Sequence, residues 1–221
     1  MLSPYAIFDM DGTLVDSMPT WRRLAPDFLL SQGIEPPQNL RKIMEPMTML
    51  QSAEYFVSLG VKFSPSQIIQ LENDHMAMQY RTIIELREGA RPYLELLSDR
   101  GVRMCVATAT DGALAQECLQ RLGIRKYFSF ILSCEDVGAG KHSPLIFLEA
   151  ARRLGASPAQ CSVYEDAAFA LSTAAKAGFD PIGIYDPASG EENAQALSQI
   201  ARHMIWDYSQ ECSLLLQGCA Q

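Results

Sequence analysis

Apolar residues along this chain follow two spacings. Short apolar runs recur at Tyr5 to Met10, Val102 to Thr108, Phe130 to Ser133, Cys161 to Glu165, Pro181 to Tyr185 and Met204 to Trp206. Between them the apolar positions fall at helical intervals, as in Leu114, Cys118, Leu119 and Leu122. Strand alternating with helix in this rhythm predicts an α/β fold, a Rossmann-like doubly wound parallel sheet with helices on both faces.

Local punctuation supports the helices. Pro92 suits a first helical position, Gly101, Gly123, Gly155 and Gly178 suit helix stops, and Ser143-Pro144 and Ser157-Pro158 each read as an N-cap followed by proline. One region breaks the rhythm. From Ser17 to Leu86 no strand pattern appears, only helical patterns interrupted by Gly33-Ile34-Glu35-Pro36-Pro37 and Gly60, and Ser64-Pro65-Ser66-Gln67 has the spacing of a capping box. The expected organisation is a catalytic core built from residues 1–15 and 88–221, carrying an all-helical insert over residues 16–87 directly after the first strand.

Composition narrows the class. The chain has 221 residues, 48% of them hydrophobic and 20% charged, with no low-complexity tract, which is globular rather than disordered. A net charge of −8 argues against nucleic acid or an anionic membrane as a partner, since no basic stripe offsets the repulsion. No apolar stretch approaches the length of a membrane span, and the N-terminus carries Asp9 in place of a signal-type pattern, so a cytoplasmic protein is expected. Cys105, Cys118, Cys134, Cys161, Cys212 and Cys219 form no CxxC pair or Cys/His cluster and are expected as free thiols. No coiled-coil heptads appear, and a monomer is the default.

Candidate chemistry gathers where the runs end. Residues 6–17, AIFDMDGTLVDS, finish a strand with two aspartates one residue apart, and a turn needs only one of them. In an open parallel sheet, ligands bind at the carboxyl ends of the strands. There lie Asp9 and Asp11 after the first strand, Thr108 at the end of the second, Lys141 after the third and Glu165-Asp166 at the end of the fourth. Each type has a job if the ligand is a phosphate. Carboxylates make a hard oxygen cage for Mg²⁺, a lysine neutralises phosphoryl charge, and a hydroxyl beside backbone N–H groups donates to phosphoryl oxygens.

In order and spacing, DMDGT, Thr108 in VATAT, Lys141 in GKHSP and the YEDA of Tyr164 to Ala167 resemble the four motifs of the haloacid dehalogenase superfamily of hydrolases. The resemblance is to the helical-cap subgroup, in the branch of β-phosphoglucomutase and related phosphatases. It implies that Asp9 is a nucleophile forming an aspartyl-phosphate and also a metal ligand. Asp11 would be general acid and then base, its backbone carbonyl on the metal. Thr108, the backbone at Ala109, and Lys141 would bind the phosphoryl group, and Asp166 and Glu165 would complete a Mg²⁺ site. Relatives that cleave carbon–halogen or carbon–phosphorus bonds replace the acid found here as Asp11, so the resemblance favours a Mg²⁺-dependent phosphatase acting on a small phosphorylated metabolite.

A sugar phosphomutase shares every core motif. Such mutases carry a histidine after the first motif and a glycine and an arginine in the cap loop, where this chain has Trp21, Glu45 and Thr48. A non-catalytic binding protein on the same scaffold is the third reading. Simpler roles stand beside the functional ones: Asp9 and Asp11 as a solvated turn, Asp111-Gly112 as a helix cap, His142 as a structural or solvated side chain, Met44, Met47 and Met49 as cap core, and Arg22, Arg23, Arg41 and Lys42 as a solvated helix face.

Overall fold

The computed structural model describes residues 3–44 and 47–217. They divide into two compact units, one formed by Met1–Asp16 with Glu85–Gln221 and the other by Ser17–Ile84.

The first unit opens with β1 (Tyr5–Phe8). The second unit, entirely helical among its described residues, follows as α1 (Met18–Ser31), α2 (Leu40–Met44), α3 (Met49–Ser58) and α4 (Pro65–Thr82). The chain then returns through α5 (Ala90–Asp99), β2 (Arg103–Thr108), α6 (Gly112–Arg121), β3 (Phe128–Ser133), α7 (Cys134–Val137), α8 (Leu145–Leu154), β4 (Cys161–Glu165), α9 (Ala168–Lys176), β5 (Asp180–Ile184), α10 (Glu191–Ile200), β6 (His203–Ile205) and α11 (Tyr208–Gln217).

The six strands form one sheet in the order β3-β2-β1-β4-β5-β6, with every pairing parallel. This is the doubly wound order, in which the strand sequence reverses direction beside β1 and opens a crevice at the carboxyl ends. β1 and β4 lie centrally, and all five residues of β4 are buried because helices cover both faces. On one face Ile7, Cys105, Ala107, Leu132 and Val163 pack with Phe147 and Ala150 of α8 and Ala170 and Ala174 of α9. On the other, Phe8 stacks on Tyr164 at 4.1 Å, and the Tyr93 hydroxyl of α5 meets that of Tyr164 at 3.2 Å. The described cysteines are free thiols, and Cys219 lies outside the described residues.

Strand one stops earlier than its apolar run suggests, at Phe8 and not at Met10. The Asp9 N–H still donates to the Tyr164 carbonyl, but the Met10 carbonyl takes the Leu14 and Val15 N–H groups and the chain turns, Gly12 adopting φ +76°. Pro92 sits at the third helical position and not the first, since α5 starts at Ala90 after Gly89. Pro144 is the N-cap of α8, displacing Ser143 from that role, and Ser157-Pro158 opens only a single turn of 3₁₀ helix before β4.

In the helical unit, Leu29 of α1, Leu40, Ala53 and Phe56 of α3, and Ile68 of α4 form the core. Thr48 and Ser64 both start helices through capping boxes, Ser64 with Gln67 as the spacing implies. The Trp21 indole N–H donates to the Tyr80 hydroxyl at 2.9 Å, tying α1 to α4. Met44 packs against this core, whereas Met49 is exposed and is not core. Arg23, Arg41 and Lys42 are exposed but Arg22 is half-buried, so it is not part of a solvated face. α4 also buries Glu72 in line with Ile68, Met76 and Tyr80.

Candidate active site

Asp9, Glu165 and Asp166 offer carboxylate oxygens that lie within 4.8 Å of one another, and all three residues are buried. The topology explains the meeting. β1 and β4 are paired neighbours, so Asp9, one residue past the end of β1, stands beside Glu165 and Asp166 at the end of β4. Lys141 reaches the same point from the loop after α7, which Gly138 turns with φ +67°. Its ammonium bonds to Asp9 Oδ1 and, at 2.8 Å, to Glu165 Oε2.

Three buried carboxylates facing one ammonium leave surplus negative charge in a low-dielectric setting, which is relieved by taking up protons or by a further cation. Burial, then the charge of Glu165, pushes the Asp9 carboxyl up, and the same two causes raise Asp166. Burial works against the Lys141 ammonium, but the charges of Asp9 and Glu165 and its hydrogen bonds to both outweigh it, so the lysine stays charged. An all-oxygen donor set of this kind fits a hard divalent cation such as Mg²⁺.

The loop after β1 is shaped to Asp166. The Thr13 hydroxyl donates to Asp166 Oδ1 at 3.1 Å, and a Cβ on Gly12 would stand 2.7 Å from Asp166 Cγ, so only glycine fits there. The Ser189 hydroxyl donates to Asp186 Oδ2 at 2.9 Å, with its oxygen 3.5 Å from Asp166 Oδ2, while Arg87 bonds Asp186 at 3.1 Å. Tyr208 of α11 donates to the Thr13 carbonyl at 3.0 Å, holding the loop from behind.

The Asp11 side chain stands apart from this cluster, accepting a hydrogen bond from the Thr110 hydroxyl at 2.6 Å. Thr108 is buried, and its Oγ1 accepts the Thr110 N–H at 3.0 Å, which leaves its O–H free to donate elsewhere. Ala109 between them is exposed. Asp111 caps α6 by accepting the Leu114 N–H at 2.9 Å, the simpler of its two readings. His142 is exposed and stacks on Phe169 at 4.3 Å. Glu45 lies outside the described residues.

Sequence reasoning missed Thr13, Thr110, Asp186, Ser189 and Asn193. Thr13 and Thr110 stand inside the quoted motifs and were within reach. The other three lie after β5, and nothing in their local pattern marks a link to Asp166.

Comparison with known proteins identifies the family. The family model for haloacid dehalogenase-like hydrolase matches residues 5–178. The chain is 28% identical over 181 residues to the fructose-1-phosphate phosphatase YqaB of Escherichia coli (strain K12), covering 80% of this chain and 94% of the relative. It is 29% identical over 186 residues to the phosphorylated carbohydrates phosphatase of Thermotoga maritima, covering 80% and 82%. Among solved structures, a candidate β-phosphoglucomutase from Thermotoga maritima superposes with a TM-score of 0.80 at 23% identity, covering 97% of this chain and 98% of that one. Among the described residues no helix is long and apolar enough to cross a membrane. With a family match that runs from β1 through β4 and α9, and with buried carboxylates at the ends of β1 and β4, the chain belongs to the haloacid dehalogenase-like hydrolases.

Proposed function

We propose that the protein is a Mg²⁺-dependent phosphatase that hydrolyses a small phosphorylated metabolite, with a phosphorylated sugar or polyol as the first class to test. The observation that carries this reading is the meeting of Asp9, Glu165 and Asp166 around one point, with Lys141 bonded into it. The substrate class is supported by the relatives, named for fructose 1-phosphate and for phosphorylated carbohydrates.

Asp9, Asp166 and Glu165, with the Asp11 backbone carbonyl, would hold Mg²⁺, which when bound neutralises charge on the phosphoryl group. Asp9 attacks phosphorus with one carboxylate oxygen, and the bond from phosphorus to the alcohol oxygen breaks, leaving an aspartyl-phosphate. Asp11, oriented by the Thr110 hydroxyl, gives its proton to the departing alcohol oxygen. It then takes a proton from the water that attacks the aspartyl-phosphate, so inorganic phosphate leaves and Asp9 is regenerated. The Thr108 hydroxyl and the Ala109 N–H donate to phosphoryl oxygens, and Lys141 supplies the fixed positive charge. Glu165 engages Lys141 with one oxygen and the Ala167 N–H with the other, so it also holds that lysine in place.

A phosphomutase would use the same core, and two residues speak against it. Trp21 and Thr48, at positions where mutases resemble one another, are engaged in the helical unit's own packing and capping. A panel of sugar and polyol phosphates assayed with Mg²⁺ tests the reading. Stoichiometric inorganic phosphate is expected, and an isomerised sugar phosphate as the product would overturn it.

A further inference from the structure

α9 starts where it cannot cap itself. Its N-cap residue is Ala167, which has no side-chain oxygen, and the first N–H groups of a helix have no acceptor within it. One acceptor comes from Glu165 Oε1, which takes the Ala167 N–H at 3.2 Å. The other comes from Asn193, in the first turn of α10. Asn193 Oδ1 accepts the Ala168 N–H at 3.1 Å, and Asn193 Nδ2 donates to the Asp166 carbonyl at 2.7 Å. One side-chain amide therefore grips the backbone on both sides of residue 167. Only an amide offers a donor and an acceptor at this spacing at once.

The grip lies directly behind a carboxylate of the cluster. The Thr13 hydroxyl holds the Asp166 side chain, and Asn193 holds its main chain. The connection that delivers Asn193 is itself anchored. Asp186 accepts the Ala188 N–H at 3.2 Å and the Ser189 hydroxyl at 2.9 Å, and it pairs with Arg87.

We infer that Asn193 is a positioning residue for the divalent-cation site: by fixing the Asp166 carbonyl and the Ala168 N–H, it sets the direction in which Asp166 presents its oxygens to Mg²⁺. The inference rests on the reading that this cluster binds Mg²⁺. Groups that orient metal ligands in this way change metal affinity by about 10-fold to 100-fold when removed.

The test is calorimetric titration of Mg²⁺ into the metal-free full chain, with melting of the same metal-free samples, for wild type, Asn193→Ala, and Asn193→Ala combined with Ala167→Ser. The added serine gives α9 a local N-cap oxygen but leaves the Asp166 carbonyl unheld. Asn193→Ala is expected to weaken Mg²⁺ binding about 10-fold or more. The double variant is expected to regain metal-free melting temperature without regaining affinity. Wild-type affinity in Asn193→Ala, or affinity that returns with stability in the double variant, would overturn the inference and reduce Asn193 to a helix cap. Absence of Mg²⁺ binding in wild type would instead overturn the metal reading itself, and this inference with it.

Discussion

Asp11 is the residue whose surroundings say most about the chemistry. Two carboxylates one residue apart invite repulsion, yet Asp9 joins the buried cluster while Asp11 turns to the Thr110 hydroxyl. A carboxyl held apart in this way can carry a proton to a leaving group. Asp11→Asn is therefore expected to slow phosphoryl transfer from alkyl phosphates to Asp9 by about 10² to 10⁴, with a much smaller loss in that step for an aryl phosphate whose leaving group needs no proton. Single-turnover release of the alcohol or phenol from both substrate types checks this, and equal losses in that step would contradict the assignment. Glu72 presents the opposite case. Burial, with no opposing ion pair among the described residues, pushes its carboxyl up to about 7. The folded state then holds a proton that the unfolded chain releases near the ordinary carboxylate range, so this group's contribution falls as pH rises from there through about 7. Glu72→Gln is expected to raise the melting temperature at about pH 8, by no more than about 3 kcal/mol in stability, with the gain shrinking as pH falls and vanishing below about pH 4. Asp9 and Asp11 were legible because their motif is local. Glu72 was not, since a glutamate at helical spacing looks the same whether it faces water or a neighbouring helix.

Helices in this chain announce their starts better than their first residues. The capping box at Ser64 and Gln67 could be read directly, and the structure contains both of its hydrogen bonds, at 2.9 and 3.3 Å. Ser64→Ala is expected to cost about 1 kcal/mol of stability without changing the site, as measured by chemical denaturation. Proline was the poorer guide. The N–H groups of a helix's whole first turn lack internal acceptors, so proline is tolerated anywhere in it, which is why Pro92 occurs at the third position and Pro144 at the cap. The early end of β1 has a similar cause. Met10 is buried like a strand residue, but its carbonyl is committed to the turn that carries Gly12 past Asp166. The α9 N-terminus was illegible for a different reason, because its cap comes from Asn193, on another helix.

Across the whole molecule, alternation of strand and helix made the sheet readable, and the rule that ligands gather at carboxyl ends brought together positions as distant as Asp9 and Asp166. What alternation could not supply was the clamp on Asp166 from Thr13 and Asn193, which depends on how the segments after β1 and β5 approach each other. The assembled cluster gives a pH signature. Asp9 is pushed up to about 8 by burial and its neighbours, so below that value the metal-free site holds protons that a cation must displace. Mg²⁺ affinity is expected to rise between about pH 6 and about pH 9, while the stability of the metal-free protein falls from the ordinary carboxylate range up through about pH 8. Titration calorimetry and thermal melts over that range check both signs. The central claim is that Asp9 carries the phosphoryl group, and rapid quenching of a turnover with Mg²⁺ and a sugar phosphate, followed by peptide mass spectrometry, tests it directly. The account predicts a phosphoryl adduct on Asp9 in the wild type and neither adduct nor phosphate release in Asp9→Asn. A phosphoryl group on another residue, or continued turnover by Asp9→Asn, would contradict it.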